Sequence, residues 1–288
     1  CRWRVRLQRN GSAMRVSIVT PSFRQGNWLR LCIASVADQE ISHEHLVQDA
    51  GSDDGTLEWL GSDPRVSAVV EKDGGMYDAV NRGLRRTHGE LLAHLNCDEQ
   101  YLAGALRCVS DWFDAHPGID VLFGDVIYVN EAGEYLAHRK MQPPLLHHTW
   151  TSHLSTLTCG TFFRRSLLER GFFFDPTWRS GGDGEWMVRM LRGGVKMAAL
   201  GRFTSVFTQT GANLGAGETG RQEARRLRMT APAWSRAMRP LWVIQHRLRR
   251  FFGGMYHQAP FSFEAYTLKN PAARHYQRVE RPLCRLQG

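Results

Sequence analysis

The chain of 288 residues has no long apolar stretch. No run approaches the roughly eighteen apolar residues that a membrane-spanning helix requires, and no signal-peptide core precedes Met14. These two absences exclude an integral membrane protein held by such a helix. We therefore expect a protein that is soluble or only peripherally attached to a membrane.

The sequence also lacks closely spaced cysteine pairs. Six cysteines are scattered without a C-x-x-C pair, and several of them lie in apolar runs: Cys1, Cys32, Cys97, Cys108, Cys159 and Cys284. This pattern favours reduced, buried thiols in a cytosolic protein over a disulfide framework.

Common nucleotide-binding motifs are absent as well. There is no G-x-x-x-x-G-K-[ST] loop and no G-x-G-x-x-G opening a helix, which argues against a P-loop NTPase and a dinucleotide-dependent dehydrogenase. Acidic residues number 28 against 37 lysines and arginines, so the net charge is +9 and the partner is expected to be anionic. A nucleic-acid binder would fit that charge, but no helix-turn-helix, zinc or aromatic-sheet motif supports it, and we predict no nucleic-acid partner.

What the sequence does contain is an alternation of strands and helices. Short β-rich runs at 16–20, 45–48, 66–70 and 91–95 alternate with stretches of helical periodicity, among them a helix over 77–86 with Tyr77, Val80 and Leu84 on one side. Alternation at this spacing predicts βαβ units, and hence an α/β fold with a mostly parallel central sheet flanked by helices. We predict one domain over 14–230, with halves of about 14–115 and 116–230. A basic, aromatic helical appendage is expected over 231–288, and a disordered or non-native extension over 1–13.

Polar residues follow three of the predicted strands: Thr20-Pro21-Ser22, Asp49 to Asp54, and Asn96 to Glu99. The carboxyl ends of parallel strands share one edge of a sheet, so we expect these groups to line a single crevice. Carboxylates at such an edge can hold a divalent cation and, through it, a phosphate. The alternative for each acid is a turn or helix cap.

A second polar stretch surrounds Asp183, which has glycines on both sides and precedes an amphipathic helix. Asp183 is therefore either the N-cap of that helix or a functional acid, and Glu185 is the alternative carboxylate. His147, His148 and His153 occupy a predicted loop without metal-ligand spacing to acids, so solvated or capping histidines are expected there.

Together these motifs resemble, in order and spacing, those of the family 2 glycosyltransferases, over about residues 14–213. The matching segments are Ser17-Ile-Val-Thr-Pro-Ser-Phe23, Gln48-Asp-Ala-Gly-Ser-Asp-Asp-Gly-Thr56, Asp73-Gly-Gly-Met-Tyr-Asp-Ala-Val-Asn-Arg-Gly83 and Leu95-Asn-Cys-Asp-Glu99. The resemblance is to the bacterial branch that builds cell-surface polysaccharide and lipopolysaccharide. It implies a Rossmann-type GT-A fold and inverting transfer from a nucleotide-diphospho-sugar to a saccharide acceptor.

The resemblance also implies roles for individual residues. Asp98, with Glu99 beside it, would bind Mn²⁺ or Mg²⁺, and Asp183 would be the catalytic base with Glu185 as its alternative. The predicted contacts to the nucleotide-sugar are Thr20, Pro21, Ser22, Asp49, Gly51, Asp78, Asn81, Asn96 and Asp98. A structural role for Asn81 is the alternative to donor contact.

This sequence departs from the family pattern at Ala50 and Glu99, where a second Asp or Gly and an Asp are common. A nucleotide-sugar-binding protein of the same fold without catalysis is therefore the alternative function. The basic and aromatic appendage is expected to be either an interfacial helix on an anionic membrane or a helix packed on the domain. The first would place the protein on the cytoplasmic face of the inner membrane, close to a lipid-linked acceptor.

Overall fold

The computed structural model describes residues 15–211 and 217–284. Its strands are β1 (Val16–Ser22), β2 (His43–Asp49), β3 (Ser67–Val70), β4 (Leu91–His94), β5 (Glu99–Tyr101), β6 (Val121–Val129), β7 (Tyr135–Arg139), β8 (Thr161–Arg164), β9 (Met197–Thr208), β10 (Phe261–Thr267) and β11 (Asn270–Val279). Its helices are α1 (Gly26–Ala37), α2 (Leu57–Leu60), α3 (Met76–Arg86), α4 (Ala105–Ala115), α5 (Leu146–Thr151), α6 (Ser166–Glu169), α7 (Gly182–Arg192), α8 (Glu218–Met229), α9 (Ala233–Ala237) and α10 (Arg239–Phe252). The predicted extension 1–13 lies outside the described residues.

Helical periodicity decides how α3 packs on the sheet. Tyr77, Val80 and Leu84 fall on one face and are buried in the main core, as the sequence predicts. Close approach to the sheet requires a glycine on the same helix, because a Cβ at Gly83 would lie 2.4 Å from a methyl group of Val19. The start of α3 is thereby held at the carboxyl edge of the first strands.

The central sheet has the strand order β3-β2-β1-β4-β8-β6-β9-β5, and β7 pairs with β6 outside this path. The four strands from β3 to β4 are parallel, as predicted from the βαβ alternation. Beyond β4 the sheet is mixed, because β8 runs antiparallel between β4 and β6, while β6 and β9 are parallel. The expectation of a mostly parallel sheet is therefore corrected for this half.

A hairpin accounts for part of the antiparallel pairing. β6 turns into β7 at Asn130, whose N–H donates to the Glu134 carbonyl at 2.9 Å, and Gly133 takes a φ of 84° in the turn. The positive φ explains the glycine.

The appendage is only partly helical. α9 and α10 are present as predicted, but 261–279 form the antiparallel pair β10–β11 instead of helix. Phe263, Ala265 and Val279 of this pair are buried against Ile127 and Val206 of the central sheet. The hairpin is therefore part of the domain core, and the expectation of an all-helical appendage is wrong for these residues.

No helix among the described residues has both the length and the apolar character needed to cross a membrane. Cys32, Cys97, Cys108, Cys159 and Cys284 are free thiols, which agrees with the absence of cysteine pairs in the sequence.

Candidate active site

The carboxyl ends of β1, β2 and β4 lie side by side, because β1 pairs in parallel with both neighbours. The N–H of Ala50 donates to the Ser22 carbonyl at 2.9 Å, which joins the turn after β2 to the end of β1. The thiol of Cys97 donates to the Pro21 carbonyl at 3.2 Å, which joins the turn after β4 to the same place. The structure thus brings together the three polar groups that the sequence places at strand ends.

The side chain of Thr20 is used inside the fold. Its Oγ1 lies 2.9 Å from Nε2 of His45 and 3.6 Å from Sγ of Cys32, and the residue is fully buried. Ser22 is also buried, whereas Pro21 keeps part of its surface exposed. These three residues are predicted to contact the nucleotide-sugar. Of the three, Pro21 presents the accessible side-chain surface, whereas Thr20 links the sheet to α1.

Asp49 organises the turn after β2. Its Oδ1 accepts the N–H groups of Gly51 at 2.9 Å and Ser52 at 2.7 Å, and its Oδ2 accepts the Ser52 hydroxyl at 2.8 Å. Gly51 has a φ of 92°, a conformation that other residues rarely adopt. Asp49 therefore stabilises its own turn, which is the structural alternative that the sequence leaves open. Any contact of Asp49 with a nucleotide would come in addition to this role.

Asn96, Asp98 and Glu99 form the turn after β4. The N–H of Asn96 donates to Glu99 Oε2 at 2.7 Å, and the Asn96 side-chain oxygen lies 2.9 Å from Nε2 of His94. Glu99 is buried, so its carboxylate closes the turn from within, whereas Asp98 is half-buried. Asp98 is therefore the acid of this pair that can reach a ligand in the crevice.

Both acids have a raised proton affinity. Burial, together with the charge of Asp98, raises the pKa of Glu99 to about 8, and burial raises the pKa of Asp98. Adjacent carboxylates that burial disfavours as anions are stabilised by a cation. This donor set, oxygen ligands only, fits Mg²⁺ or Mn²⁺.

Asp78 and Asn81 lie on α3 at the same edge. Oδ2 of Asp78 accepts the Gly74 N–H at 2.9 Å and pairs with Arg82 at 2.9 Å. The amide of Asn81 donates to the Phe174 carbonyl at 2.7 Å and accepts the Phe174 N–H at 3.0 Å. Both ends of the buried Asn81 amide are thus hydrogen-bonded within the fold. This favours a structural role for Asn81 over contact with the nucleotide-sugar.

Asp183 is the second residue of α7 and not its N-cap, which is Gly181. Its Oδ1 accepts the Gly184 N–H at 2.9 Å and lies 3.5 Å from the Tyr77 hydroxyl. The N–H of Asp183 donates to that same hydroxyl at 3.2 Å. The capping alternative is therefore not the arrangement observed, and the carboxylate is held by α3 as well as by its own helix.

Burial raises the pKa of Asp183 to about 6, and the charge of Glu223 adds to this effect. The bonds from Gly184 and Tyr77 act in the opposite direction. Asp183 lines a cavity of about 150 Å³ between α5, α7 and α8, whose other walls include Trp150. A carboxylate with a pKa near neutrality beside a cavity has the properties of a general base.

Glu185 is held elsewhere. Its Oε1 accepts the Arg189 Nε–H at 2.6 Å, and Arg189 also donates to the Phe173 carbonyl at 2.6 Å. Glu185 is not among the described residues that line the cavity. The structure thus separates the two carboxylates that the sequence leaves as alternatives.

Glu223 on α8 is a residue of this cavity that sequence reasoning missed. Its carboxylate accepts the N–H groups of Arg179, Ser180 and Gly181 at 2.7, 2.8 and 2.7 Å. Burial raises its pKa, but these backbone bonds outweigh burial, so the net pKa is lowered. One acid in the arginine-rich stretch of α8 gives no sequence signal, because its partners lie more than forty positions away.

Two contacts connect the walls of the cavity to α3 and to the loop before it. Arg179, just before α7, donates to the Gly74 carbonyl, and Gly74 lies in the loop between β3 and α3. Tyr77 of α3 contacts Asp183 from the same side. An α/β sheet with polar groups at the carboxyl ends of its strands and a nearby acid of raised pKa is an arrangement suited to ligand binding and acid–base chemistry.

The family model described as "Glycosyl transferase family 2" matches residues 17–172, which is more than half of the chain, and the chain belongs to this family. Asp183 lies beyond the matched residues. Among curated relatives, the glycosyltransferase AglE of Haloferax volcanii is 26% identical over 199 residues, which cover 63% of this chain and 63% of that protein. A PGL/p-HBAD biosynthesis glycosyltransferase of Mycobacterium bovis is 34% identical over 120 residues, covering 38% of this chain and 46% of the relative. The chain therefore spans less than two thirds of the length of these relatives.

Solved structures show the same fold. TarS of S. aureus in complex with UDP-GlcNAc superposes with a TM-score of 0.61 at 17% identity, covering 83% of this chain and 73% of that one. The mannosyltransferase PcManGT of Pyrobaculum calidifontis, in complex with GDP-Man and Mn²⁺, gives a TM-score of 0.50 at 17% identity, covering 81% and 75%. These likenesses confirm the predicted GT-A-like fold.

Proposed function

We propose that this protein transfers a sugar from a nucleotide-diphospho-sugar to a hydroxyl group of a saccharide acceptor, with inversion at the anomeric carbon. The observation that carries the proposal is Asp183, a carboxylate of raised pKa that lines a cavity and contacts Tyr77 of α3. Membership of glycosyl transferase family 2 and the glycosyltransferase names of the relatives support it.

In the proposed reaction, Asp183 accepts the proton of the acceptor hydroxyl. The oxygen then forms a bond to the anomeric carbon from the face opposite the leaving group, and the bond from that carbon to the diphosphate oxygen breaks. The nucleoside diphosphate leaves with the electron pair, so the configuration inverts. The Gly184 N–H and the Tyr77 hydroxyl hold the carboxylate in place during the proton transfer.

The donor is proposed to bind at the ends of β1, β2 and β4. The structural neighbours in complex with UDP-GlcNAc and with GDP-Man support a nucleoside-diphosphate sugar as the ligand. Pro21 and the turn held by Asp49 provide the surface for the base and ribose, and Gly51 leaves room for them, because nothing lies within 4 Å of the position that a Cβ would occupy there.

A divalent cation, Mn²⁺ or Mg²⁺, fits the carboxylate donors of the turn after β4, and Mn²⁺ accompanies GDP-Man in one neighbour. Asp98 would hold the ion, and Glu99, buried beneath the turn, would position Asp98 through the Asn96 N–H more than it would bind metal itself. When bound, the ion would neutralise the charge that develops on the leaving diphosphate.

The outer surface of α10 suggests where the acceptor is found. Leu241, Ile244, Leu248 and Phe251 are each half exposed or more, and their spacing places them on one face of the helix. The exposed Arg247 lies beside this apolar stripe. We infer that the stripe rests on an anionic membrane, on the cytoplasmic face of the inner membrane, where a lipid-linked saccharide of cell-surface polysaccharide biosynthesis would be the acceptor.

The alternative, a nucleotide-sugar-binding protein without catalysis, is motivated by Ala50 and by the inward-facing carboxylate of Glu99. One experiment separates the two functions. A panel of nucleotide-sugars is first screened by thermal shift with Mn²⁺, and the donors that bind are then tested for transfer and hydrolysis. The product anomer is assigned by NMR. Release of nucleoside diphosphate with an inverted product supports the proposal, whereas donor binding without release would identify the non-catalytic protein.

A further inference from the structure

Three imidazoles lie close together where the appendage packs on the second half of the domain, residues 116–230. His148 lies on α5, His153 follows this helix, and His246 lies on α10. One ring nitrogen from each histidine lies within 4.8 Å of the others. The ring centroids of His148 and His246 are 3.9 Å apart and those of His148 and His153 are 4.5 Å apart. The sequence predicts a loop with solvated or capping histidines here, which is wrong for the fully buried His148.

The state of His148 calls for an explanation. Neither of its ring nitrogens has a hydrogen-bond partner among the described residues, and the side chain has no exposed surface. A neutral imidazole carries one N–H donor and one acceptor, and leaving both unpaired in a buried position is costly. An ion bound to the acceptor nitrogen would remove part of that cost.

The neutral imidazole is the form that binds metals. Burial lowers the pKa of both His148 and His246, which favours that form.

Arginines act on His148 and His246, whereas the cavity beside His153 also contains the acids Asp183 and Glu223. Arg239 acts on His148, and Arg139, Arg249 and Arg250 act on His246. Their repulsion weakens the binding of a bare dication, so an ion held here would take an anionic fourth ligand such as hydroxide or phosphate. Imidazole ligands select Zn²⁺ and similar transition metals, whereas the carboxylate turn after β4 suits Mg²⁺ and Mn²⁺.

We propose that His148, His153 and His246 form a zinc site, separate from the donor-site cation, which joins α10 to α5. Three imidazoles with an open fourth position form a familiar tetrahedral arrangement for zinc. With Zn–N bonds of about 2.0–2.1 Å, the nitrogens would draw together to about 3.4 Å. The parallel rings of His148 and His246 must tilt to aim at one ion, which the broad χ2 torsion of histidine permits.

The site has a direct structural consequence. His153 also lines the cavity that contains Asp183. The zinc ion would therefore fix one wall of this cavity as well as α10. Zinc would therefore stabilise the folded chain whether or not a sugar is transferred.

The test uses the full chain without a polyhistidine tag, stripped with EDTA and returned to a buffer containing excess Mg²⁺, which occupies the carboxylate site. Zn²⁺ is added, and the bound metal is measured by mass spectrometry after desalting. We expect about one equivalent and a higher Tm. With Co²⁺ in place of Zn²⁺, the visible absorption should be that of a four-coordinate ion.

Variants locate the ion. His153→Ala and His246→Ala should each lower zinc affinity by more than about 10²-fold, because loss of outer-shell partners alone accounts for 10–100-fold. His275→Ala, at an exposed position of β11, should bind zinc like the wild type. Asp98→Asn should also retain zinc, which separates this site from the donor site.

Three results would overturn the proposal: no stoichiometric zinc on the wild type, undiminished zinc on a folded His153→Ala/His246→Ala double variant, or a Tm that rises with inorganic phosphate and not with Zn²⁺. The last would identify the basic cluster as an anion site.

Discussion

The hydroxyl oxygen of Tyr77 lies 3.5 Å from Oδ1 of Asp183 and 3.2 Å from the backbone nitrogen of the same residue. A side chain of α3, which begins at the carboxyl edge of the sheet, therefore touches both the carboxylate and the backbone of the proposed base. The same hydroxyl lies 3.1 Å from the Ser180 carbonyl, so its proton is shared between two acceptors. Tyr77 thus couples the position of α3 to the proton affinity of Asp183.

A pH profile measures this coupling. The proposed base must be deprotonated and its pKa is about 6, so wild-type kcat/KM should rise with pH between about pH 5 and about pH 7. Tyr77→Phe removes a hydroxyl that stabilises the carboxylate, so the pKa of Asp183 should rise. The rising part of the pH profile should then move to higher pH. Tyr276→Phe, at an exposed position, is the control. If kcat/KM of the variant rises at the same pH as in the wild type, or at a lower pH, Tyr77 does not control the proton affinity of Asp183.

Replacing the carboxylate itself tests the base assignment. Asp183→Asn keeps the size of the side chain and removes the proton acceptor, so folding and donor affinity should survive while transfer falls by about 10²–10⁴. Glu185→Gln is the matched control, because Glu185 pairs with Arg189 outside the cavity, and its kcat should remain close to that of the wild type. Should both variants turn over normally, the mechanism fails; should Glu185→Gln alone be inactive, the base is Glu185.

Metal removal tests the role of Asp98. EDTA should abolish transfer, added Mn²⁺ or Mg²⁺ should restore it, and Asp98→Ala should weaken nucleoside-diphosphate binding measured by titration calorimetry. Asp111→Ala, at an exposed position of α4, should bind like the wild type. Full turnover in EDTA would remove the metal from the mechanism.

Asn81→Ala distinguishes a structural residue from a donor ligand. The variant leaves the Phe174 N–H and carbonyl without their side-chain partner, so the free energy of unfolding should drop by about 1–3 kcal/mol. Donor Kd, measured below the unfolding transition, should stay unchanged. A large loss of donor affinity with unchanged stability would restore Asn81 to the donor site.

The apolar stripe of α10 predicts binding to anionic vesicles at low salt. The full chain should sediment with phosphatidylglycerol vesicles, and Leu248→Glu combined with Phe251→Glu should release it while the fold and donor binding survive, because both side chains are exposed. Tyr276→Glu, which adds charge elsewhere, should still sediment. A wild-type protein that stays in the supernatant would make α10 a packing element only. Deleting 232–288 is a poor test, because that change also removes the buried Phe263 and Ala265.

The features that the sequence predicted well depend on local periodicity. The apolar face of α3 and the polar ends of β1, β2 and β4 follow from residues close together in the chain. The features that it missed depend on distant partners. Asn81 bonds Phe174, and Glu223 bonds the backbone at Gly181, and neither pairing leaves a mark in local sequence.

The prediction of helix for the β10–β11 segment of the appendage fails for a different reason. Phe261, Phe263 and Ala265 alternate with polar residues, which is a strand signal, but the basic and aromatic composition of the region favoured helix. α10 is amphipathic, as its mixture of basic and apolar residues indicates. The structure adds that its inner face carries the buried His246 and Arg250 while its apolar face points outward.

The hairpin of β10 and β11 has a consequence for the timing of folding. Arg274 pairs with Asp38 across 236 positions of the chain and also donates to the Tyr101 carbonyl at 2.9 Å. On the ribosome, α1 and β5 are complete long before that arginine is synthesised, so one side of the nascent sheet waits uncovered. Contacts of such high sequence separation form late and slow the search for the native state. β11, which is synthesised after every other strand described here, therefore completes contacts of the first half of the domain, and the uncovered surface would be open to chaperones in that interval.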